Sequence, residues 1–236
     1  MEAVAGFVKS ELRDWKTSEV CWMGAAILTV VVITIHQGED SLIGIISAVT
    51  GILYTLLSGK GKASCYLFGV VNTILYGYIA FSSRIYGDML LNWCYYLPMQ
   101  FAGFMIWLRH RQELTGTVRK RKLTHKHRIL TLLATLAAWI TGAVILKYTG
   151  DASPWLDSAT TVISITAMVL SVMRCFEQWI CWTLVNGISI WMWLDLYLRN
   201  NDSLATLLMW SVFLICGIVF GLQWLKAAEE EENHEN

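Results

Sequence analysis

Primary amides and aromatic rings recur at helical spacing inside the long apolar stretches of this sequence. An amide offers hydrogen-bond donors and acceptors without a charge, and in hydrocarbon it needs a partner. An aromatic ring can stack on a flat ligand or attract a cation. Three stretches carry both residue types on one helix face, by the i, i+3, i+4, i+7 rule: Phe68, Asn72 and Tyr76; Trp93, Tyr96 and Gln100; and Trp179, Trp182 and Asn186.

The three amides lie at one predicted depth in the membrane. Asn72, Gln100 and Asn186 are each eight residues from a predicted cytoplasmic helix end, which is roughly 12 Å into a core about 30 Å thick. Aromatic residues bracket this layer, with Phe68 and Trp182 nearer the cytoplasm and Trp93 and Trp210 further out. We expect a polar cavity here; the alternative is that each amide only bonds a neighbouring helix.

Composition places these residues in a membrane protein. Hydrophobic residues make up 56% of the 236 residues, charged residues only 15%, and the mean hydropathy is +0.50. Long apolar runs with few charges are typical of transmembrane helices. We predict an all-α integral membrane protein with eight spans, at residues 20–36, 41–58, 64–82, 87–108, 129–147, 157–173, 178–198 and 203–225.

The distribution of basic residues predicts the orientation. With eight crossings, fifteen Lys and Arg residues fall on one side and three on the other, so both termini are expected in the cytoplasm. The first segment is the least secure span, but leaving it out weakens this asymmetry. Residues 109–128 hold eight of the basic residues, which topology alone explains better than binding of nucleic acid or anionic lipid. Four tryptophans lie near predicted span ends, where an interfacial belt is expected: Trp22, Trp107, Trp155 and Trp224.

The sequence also repeats internally. Residues 41–107 resemble residues 155–224, and an offset of 114 pairs Asn72 with Asn186 and Phe68 with Trp182. After an insertion the offset becomes 117 and pairs Trp93 with Trp210. A single span lies between the two three-span repeats, so they share one orientation, as in transporters with parallel repeats. Repetition without transport is the alternative.

This repeat defines the predicted organisation of the chain. Two parallel three-helix repeats are joined by a linker helix and preceded by one N-terminal helix. The predicted parts are an amphipathic lead-in with the first helix (1–40), a first bundle (41–108), a basic loop with the linker helix (109–156), a second bundle (157–226) and an acidic tail (227–236).

No pattern of catalytic or metal-binding residues is found. HExxH, GxSxG and paired intramembrane carboxylates are absent, and the six cysteines occur singly without metal-ligand spacing. A retinal-type photoreceptor would need a lysine in the middle of a span, and every lysine lies in a loop or at a span end. We therefore predict neither an enzyme nor a cofactor or metal site.

Two blocks of sequence resemble a known family, the PnuC-type nicotinamide riboside transporters. They are YLFGVVNTILYG at 66–77, followed by IYGDMLLNW, and LDSATTVISITAMVLSVMRCFEQWICWTLVNGISIW at 156–191. The second block has the family's spacing of an Asp followed by Glu177, Trp179, Trp182 and Asn186. Leu156, where family members often have Trp, and Asn92, where they often have Gln, depart from the pattern.

The resemblance implies a fold and a function. The fold would be similar to that of SWEET sugar transporters, with nicotinamide riboside bound between two bundles. Uptake into a bacterial cytoplasm would occur by facilitated diffusion through alternating access, drawn by phosphorylation of the riboside. We expect a multi-pass protein of the bacterial inner membrane, a homo-oligomer that binds no nucleic acid. The alternative substrate is a sugar or another neutral nucleoside.

The candidate substrate-binding residues are taken from the three helix faces and the repeat. They are Phe68, Asn72, Trp93, Tyr96, Gln100, Trp179, Trp182, Asn186 and Trp210.

Overall fold

The regular secondary structure is helical in the part of the protein that its computed structural model describes, which is residues 6–7, 10–11, 15–36, 42–82, 86–112, 114–150, 153–200 and 204–235. The helices are α1 (Thr17–His36), α2 (Leu42–Lys60), α3 (Cys65–Ser82), α4 (Tyr86–Leu90), a π-helical segment (Leu91–Tyr96), α5 (Leu97–Arg109), α6 (His125–Tyr148), α7 (Pro154–Val172), α8 (Glu177–Asn200) and α9 (Leu204–Glu235).

Several of these helices are long and apolar enough to cross a membrane. Within the described residues five qualify, namely α2, α3, α6, α7 and the Met209–Glu232 part of α9. A shorter apolar stretch, Val20–Ile33, lies in α1. The expectation of an all-helical membrane protein is therefore confirmed, while the count of eight spans stays a prediction.

The predicted span at residues 87–108 is not a regular α-helix. It consists of α4, the π-helical segment and α5 in succession. Pro98, in the first turn of α5, explains the irregularity. Proline has no N–H to donate to the carbonyl of Cys94, and its ring would clash with that carbonyl in a regular α-helix. Such π-helical segments are frequent at functional sites, and this one contains Trp93 and Tyr96.

The chain divides into two compact units, Met1–Arg119 and Lys120–Asn236. In the first unit α2 packs against both α1 and α3, and α3 packs against the π-helical segment and α5. In the second unit α7 packs against α6 and α8, and α8 packs against α9. Each unit therefore contains helices with two packing partners, including α2 and α3 in the first unit and α7 and α8 in the second.

Small residues of α3 allow the π-helical segment and α5 to pack closely against this helix. Gly69, Thr73 and Gly77 are spaced four residues apart and form one stripe. A β-carbon at Gly69 would lie 2.3 Å from Oε1 of Gln100, and one at Gly77 would lie 2.2 Å from Nε1 of Trp93. Small residues let membrane helices approach this closely. Here they make space for two of the candidate site residues.

One tryptophan of α5 and one of α9 lie in the core of their units. Trp107 packs edge to face on Tyr66, with ring centroids 5.0 Å apart, and Trp224 packs in the same way on Trp179 at 6.1 Å. Neither Trp107 nor Trp224 has any exposed surface. The expected place of these two tryptophans in an interfacial belt is therefore wrong. In this edge-to-face arrangement the whole indole side chain is buried against another ring in the core.

The turns that precede α3 and α8 have matching backbone hydrogen bonds. The N–H of Lys62 donates to Leu57 O at 2.9 Å, and that of Cys175 donates to Leu170 O at 2.9 Å. Gly61 and Arg174 both have positive φ, at 74° and 64°. These pairs are 113 residues apart, one fewer than the offset in the sequence alignment. At this offset Tyr66 corresponds to Trp179, which agrees with their ring packing.

We expect Gly103→Ala to destabilise the protein. Its β-carbon would lie 2.2 Å from the Tyr66 ring, and that ring cannot move without leaving Trp107. Such overpacking costs about 1–3 kcal/mol. The matched control is Gly24→Ala, because nothing lies within 4 Å of a β-carbon there and alanine favours a helix. Thermal unfolding in detergent should show a lower midpoint for the first variant only; equal midpoints would contradict this packing.

Candidate functional site

Asn72 is hydrogen-bonded to the neighbouring helix. Its Nδ2 donates to the carbonyl of Ser47 at 2.8 Å and lies 3.3 Å from the Ser47 hydroxyl. Gly51, one turn further along α2, leaves room for this amide, because a β-carbon there would lie 3.0 Å from Nδ2. The side-chain N–H of Asn72 thus links α3 to α2. This is the alternative role considered for the amides above, in which each one only bonds a neighbouring helix.

Gln100 has an unsatisfied amide. The side chain is 5% exposed, and its Nε2 donates only a long bond of 3.4 Å to Oγ1 of Thr73. Its Oε1 has no hydrogen-bond partner within the described residues. A buried polar atom without a partner costs about 1–3 kcal/mol. Such an atom is retained where a ligand or water completes it.

The aromatic candidates of the first unit are more accessible than Gln100. Trp93 is 36% exposed, and its Nε1 donates to the Ile74 carbonyl at 3.3 Å. Tyr96 packs on Tyr95 with ring centroids 5.3 Å apart. Phe68 and Tyr96 are both half-buried. Within the first unit, Trp93 and Gln100 both lie against the small-residue stripe of α3, two turns apart.

In the second unit, the corresponding amide lies on the side of α8 that faces α9. Asn186 is 6% exposed, and its Nδ2 lies 3.7 Å from where a β-carbon of Gly217 would stand. Oγ1 of Thr183 lies 2.9 Å from the same point. Asn72 instead bonds α2, so the two repeat-paired asparagines serve different interfaces. At the offset of 113, the counterpart of Asn186 is Thr73, the partner of Gln100.

Trp179 is buried but has a free donor. It is 4% exposed and packs on Phe220 with ring centroids 5.4 Å apart. Its Nε1 has no hydrogen-bond partner within the described residues. A buried indole N–H ordinarily finds a partner. Trp182, one turn along the helix, is half-buried. The last candidate, Trp210, packs on Phe213 at 6.2 Å.

Sequence reasoning missed Gln178. This residue has no exposed surface, and neither amide atom has a hydrogen-bond partner within the described part of the chain. It lies between Glu177 and Trp179, so the run of three polar or hydrogen-bonding residues EQW at the start of α8 was a signal in the sequence. Thr73 and Ser47 were also missed, because small hydroxyl residues in apolar helices carry no distinctive signal.

Carboxylates hold the turns at the start of α3 and α8. Glu11 accepts hydrogen bonds from the backbone N–H and the hydroxyl of Ser64. Glu177 accepts from the N–H of Leu123 at 3.0 Å and from Nε of Arg128 at 2.8 Å. A negative charge near a helix N-terminus is favourable. These carboxylates therefore stabilise the helix starts.

The turn before α8 contains a thiol that is poorly suited to nucleophilic chemistry. Burial, and secondly the charge of Glu177, raises the pKa of Cys175 to about 11, so the thiol is protonated at neutral pH. In the described residues no group of three or more His, Cys, Asp or Glu side chains could hold a metal ion. The chemistry offered by the candidate residues is hydrogen bonding by neutral amides and contact with aromatic rings.

Comparisons with known proteins agree on one family. Residues 41–226 match the family model described as nicotinamide mononucleotide transporter. The chain is 34% identical over 229 residues to the nicotinamide riboside transporter PnuC of Neisseria mucosa, covering 95% of this chain and 87% of the relative. It is 32% identical over 226 residues to the protein of the same name from Haemophilus influenzae, covering 94% and 96%.

A solved structure is similar over nearly the whole chain. It is described as the crystal structure of the vitamin B3 transporter PnuC, with a TM-score of 0.79 and 33% identity. The similarity covers 95% of this chain and 98% of that one.

The contrast between the two amides of the first unit predicts opposite effects on stability. Gln100→Met should leave the ligand-free protein as stable or about 1 kcal/mol more stable, because it removes a buried unpaired atom. Asn72→Leu should cost about 0.5–1.5 kcal/mol, because it removes a hydrogen bond to Ser47. Thermal and denaturant unfolding in the same detergent would measure both. If Gln100→Met destabilised the protein more than Asn72→Leu, Gln100 would be a structural residue.

Proposed function

Since the chain belongs to the PnuC family of membrane transporters, we propose that it carries nicotinamide riboside into the bacterial cytoplasm by facilitated diffusion. The relatives named above are nicotinamide riboside transporters. The observation that carries the proposal for this chain is a pair of buried polar atoms without a hydrogen-bond partner in the described residues, Oε1 of Gln100 and Nε1 of Trp179.

The chemistry of the riboside suits these groups. Its pyridinium ring is flat and carries a delocalised positive charge, which an aromatic face attracts by about 1–2 kcal/mol when desolvated. Its carboxamide and ribose hydroxyls both donate and accept hydrogen bonds, and so do neutral amides. We propose that Phe68 and Trp182 contact the pyridinium ring and that Asn186 and Gln100 bind the carboxamide or ribose hydroxyls.

The same residues favour the riboside over its mononucleotide. None of the nine candidate residues is basic, and a phosphate buried without a cationic partner is costly. The family model is described by the mononucleotide, whereas the relatives are named for the riboside. We propose that this chain discriminates against the phosphorylated form.

Net uptake needs a driving force, and we propose that it comes from cytoplasmic phosphorylation of the riboside. The candidate residues include no carboxylate that could carry a proton. We therefore propose a carrier that works by alternating access and couples transport to no ion. Conversion to the mononucleotide traps the product, because the site that accepts the riboside rejects the phosphate. We further propose that both termini are cytoplasmic, because the basic residues fall mainly on that side, and that the protein forms a homo-oligomer.

Titration calorimetry of the purified protein would test the substrate. We expect saturable binding of nicotinamide riboside, and mononucleotide binding that is weaker by about a hundredfold, since leaving a buried charge unpaired costs several kcal/mol. Nicotinamide, a neutral nucleoside and a sugar are run in parallel. Tighter binding of the sugar or the neutral nucleoside would keep the architecture but overturn the substrate.

Substitutions in α8 would test the proposed contacts. Trp182→Ala and Asn186→Ala should each weaken riboside binding about tenfold or more, through loss of cation–π attraction and hydrogen bonds. The control is Trp191→Ala in the same helix, because Trp191 is 66% exposed. Unchanged affinity in both site variants would show that the placement is wrong.

Trp179 allows a sharper test of its free donor. Trp179→Phe keeps an aromatic ring against Phe220 and Trp224 but removes the indole N–H. We expect the unfolding midpoint to change little and riboside affinity to fall about fivefold to tenfold, as for one lost hydrogen bond. A lower midpoint with unchanged affinity would assign Trp179 to packing alone.

A further inference from the structure

A cavity of about 220 Å³ in the second unit lies outside the candidate substrate site. One wall is the basic segment that leads into α6, with Arg121, Lys122, Thr124 and His127. The opposite wall is the C-terminal end of α7, including Val169 and Met173. Pockets for small molecules usually measure about 300–1,000 Å³, so this cavity suits a headgroup-sized ligand better than a whole nucleoside.

The polar wall carries two cationic side chains, of which Lys122 is paired with carboxylates of α9. Arg121 is exposed, and within the described residues no carboxylate pairs with its guanidinium. Nζ of Lys122 lies 2.8 Å from Glu232 and 3.8 Å from Glu229 of α9. The Thr124 hydroxyl lies 2.7 Å from Nδ1 of His127. Two cationic side chains and a hydroxyl are the groups that bind a phosphate.

The opposite wall is mainly apolar, with Thr166 as its polar residue, and is accessible in part. Val169 is 39% exposed and Met173 is 42% exposed. In α6, only 6% of the most apolar window is buried inside the protein. Both helices are membrane-spanning candidates, so their exposed apolar faces contact acyl chains. The cavity therefore joins a cationic wall to a surface covered by lipid tails.

We propose that this cavity binds the phosphate of an anionic phospholipid, with its acyl chains along the exposed faces of α6 and α7. A free phosphate ester shares the headgroup chemistry but makes no use of the apolar wall. Glu229 and Glu232 compete with the lipid phosphate, because they already neutralise Lys122. The site is independent of the proposed transport substrate.

Native mass spectrometry of the full-length protein in a neutral detergent would test this site. Phosphatidylglycerol is compared with phosphatidylcholine of the same acyl chains, and soluble glycerol phosphate serves as a probe without acyl chains. We expect phosphatidylglycerol to bind about tenfold more tightly than phosphatidylcholine, and this preference to shrink at high salt. Similar affinities for the two lipids would overturn the proposal. Glycerol phosphate as tight as phosphatidylglycerol would overturn the assignment to a lipid.

Variants locate the effect in the cavity. Arg121→Gln and Lys122→Gln should each weaken phosphatidylglycerol binding about fivefold. The control is Lys126→Gln, which removes the same charge in the first turn of α6, at a residue that does not line the cavity. An equal loss of lipid affinity in this variant would show that the lipid responds to the general positive charge of the segment, and the proposed site would be wrong. The double variant Glu229→Gln with Glu232→Gln should bind the lipid more tightly. This expected gain of affinity cannot result from misfolding, and unchanged or weaker binding would contradict the competition at Lys122.

Discussion

Close approach of helices at glycines is the constraint on which both units depend. In hydrocarbon, helices associate through packing and hydrogen bonds rather than through the hydrophobic effect, so backbone separation decides which polar groups can meet. Large side chains lie over glycines of a neighbouring helix in both units: Asn72 over Gly51, Gln100 over Gly69, Trp93 over Gly77, Tyr66 over Gly103 and Trp179 over Gly221. Four of these five are candidate substrate-binding residues. These four candidate residues are therefore held at helix interfaces.

The sequence predicted the helices well because apolar length is a strong signal. The predicted span 64–82 corresponds to Cys65–Ser82, and 157–173 to Pro154–Val172. The sequence analysis did not predict the π-helical segment, although Pro98 is present in the sequence. Hydropathy reports only how apolar a segment is, and not how the backbone adjusts to a proline that has no N–H donor. The hydrogen-bond partner of Asn72 could not be predicted from the sequence either. It depends on how α2 is placed against α3, which brings Ser47 and Gly51 to the amide, and no local pattern encodes that placement.

The one-residue difference between the sequence offset and the structural offset has a physical reason. An alignment scores identical residues, so it paired the two asparagines at 114. The turns before α3 and α8 instead match at 113, because Gly61 and Arg174 share a positive-φ backbone geometry. Tyr66 and Trp179 match at the same offset, since they pack on Trp107 of α5 and Trp224 of α9. Thr73 then corresponds to Asn186. The polar side chain that faces the following helix is therefore a threonine in the first unit, where Thr73 faces α5, and an asparagine in the second, where Asn186 faces α9.

The unpaired atoms also bear on how a carrier can release its substrate. A charged site would hold a cationic riboside tightly, since buried ion pairs are costly to separate. Neutral amides and rings give weaker, additive contacts, each worth about 0.5–2 kcal/mol. On the proposed function, hydrogen bonds from the substrate would satisfy the atoms of Gln100 and Trp179 that have no protein partner in the described residues, and this would add to the gain on binding. The proposed site would therefore bind its substrate selectively and still release it to water, as the proposed carrier mechanism requires.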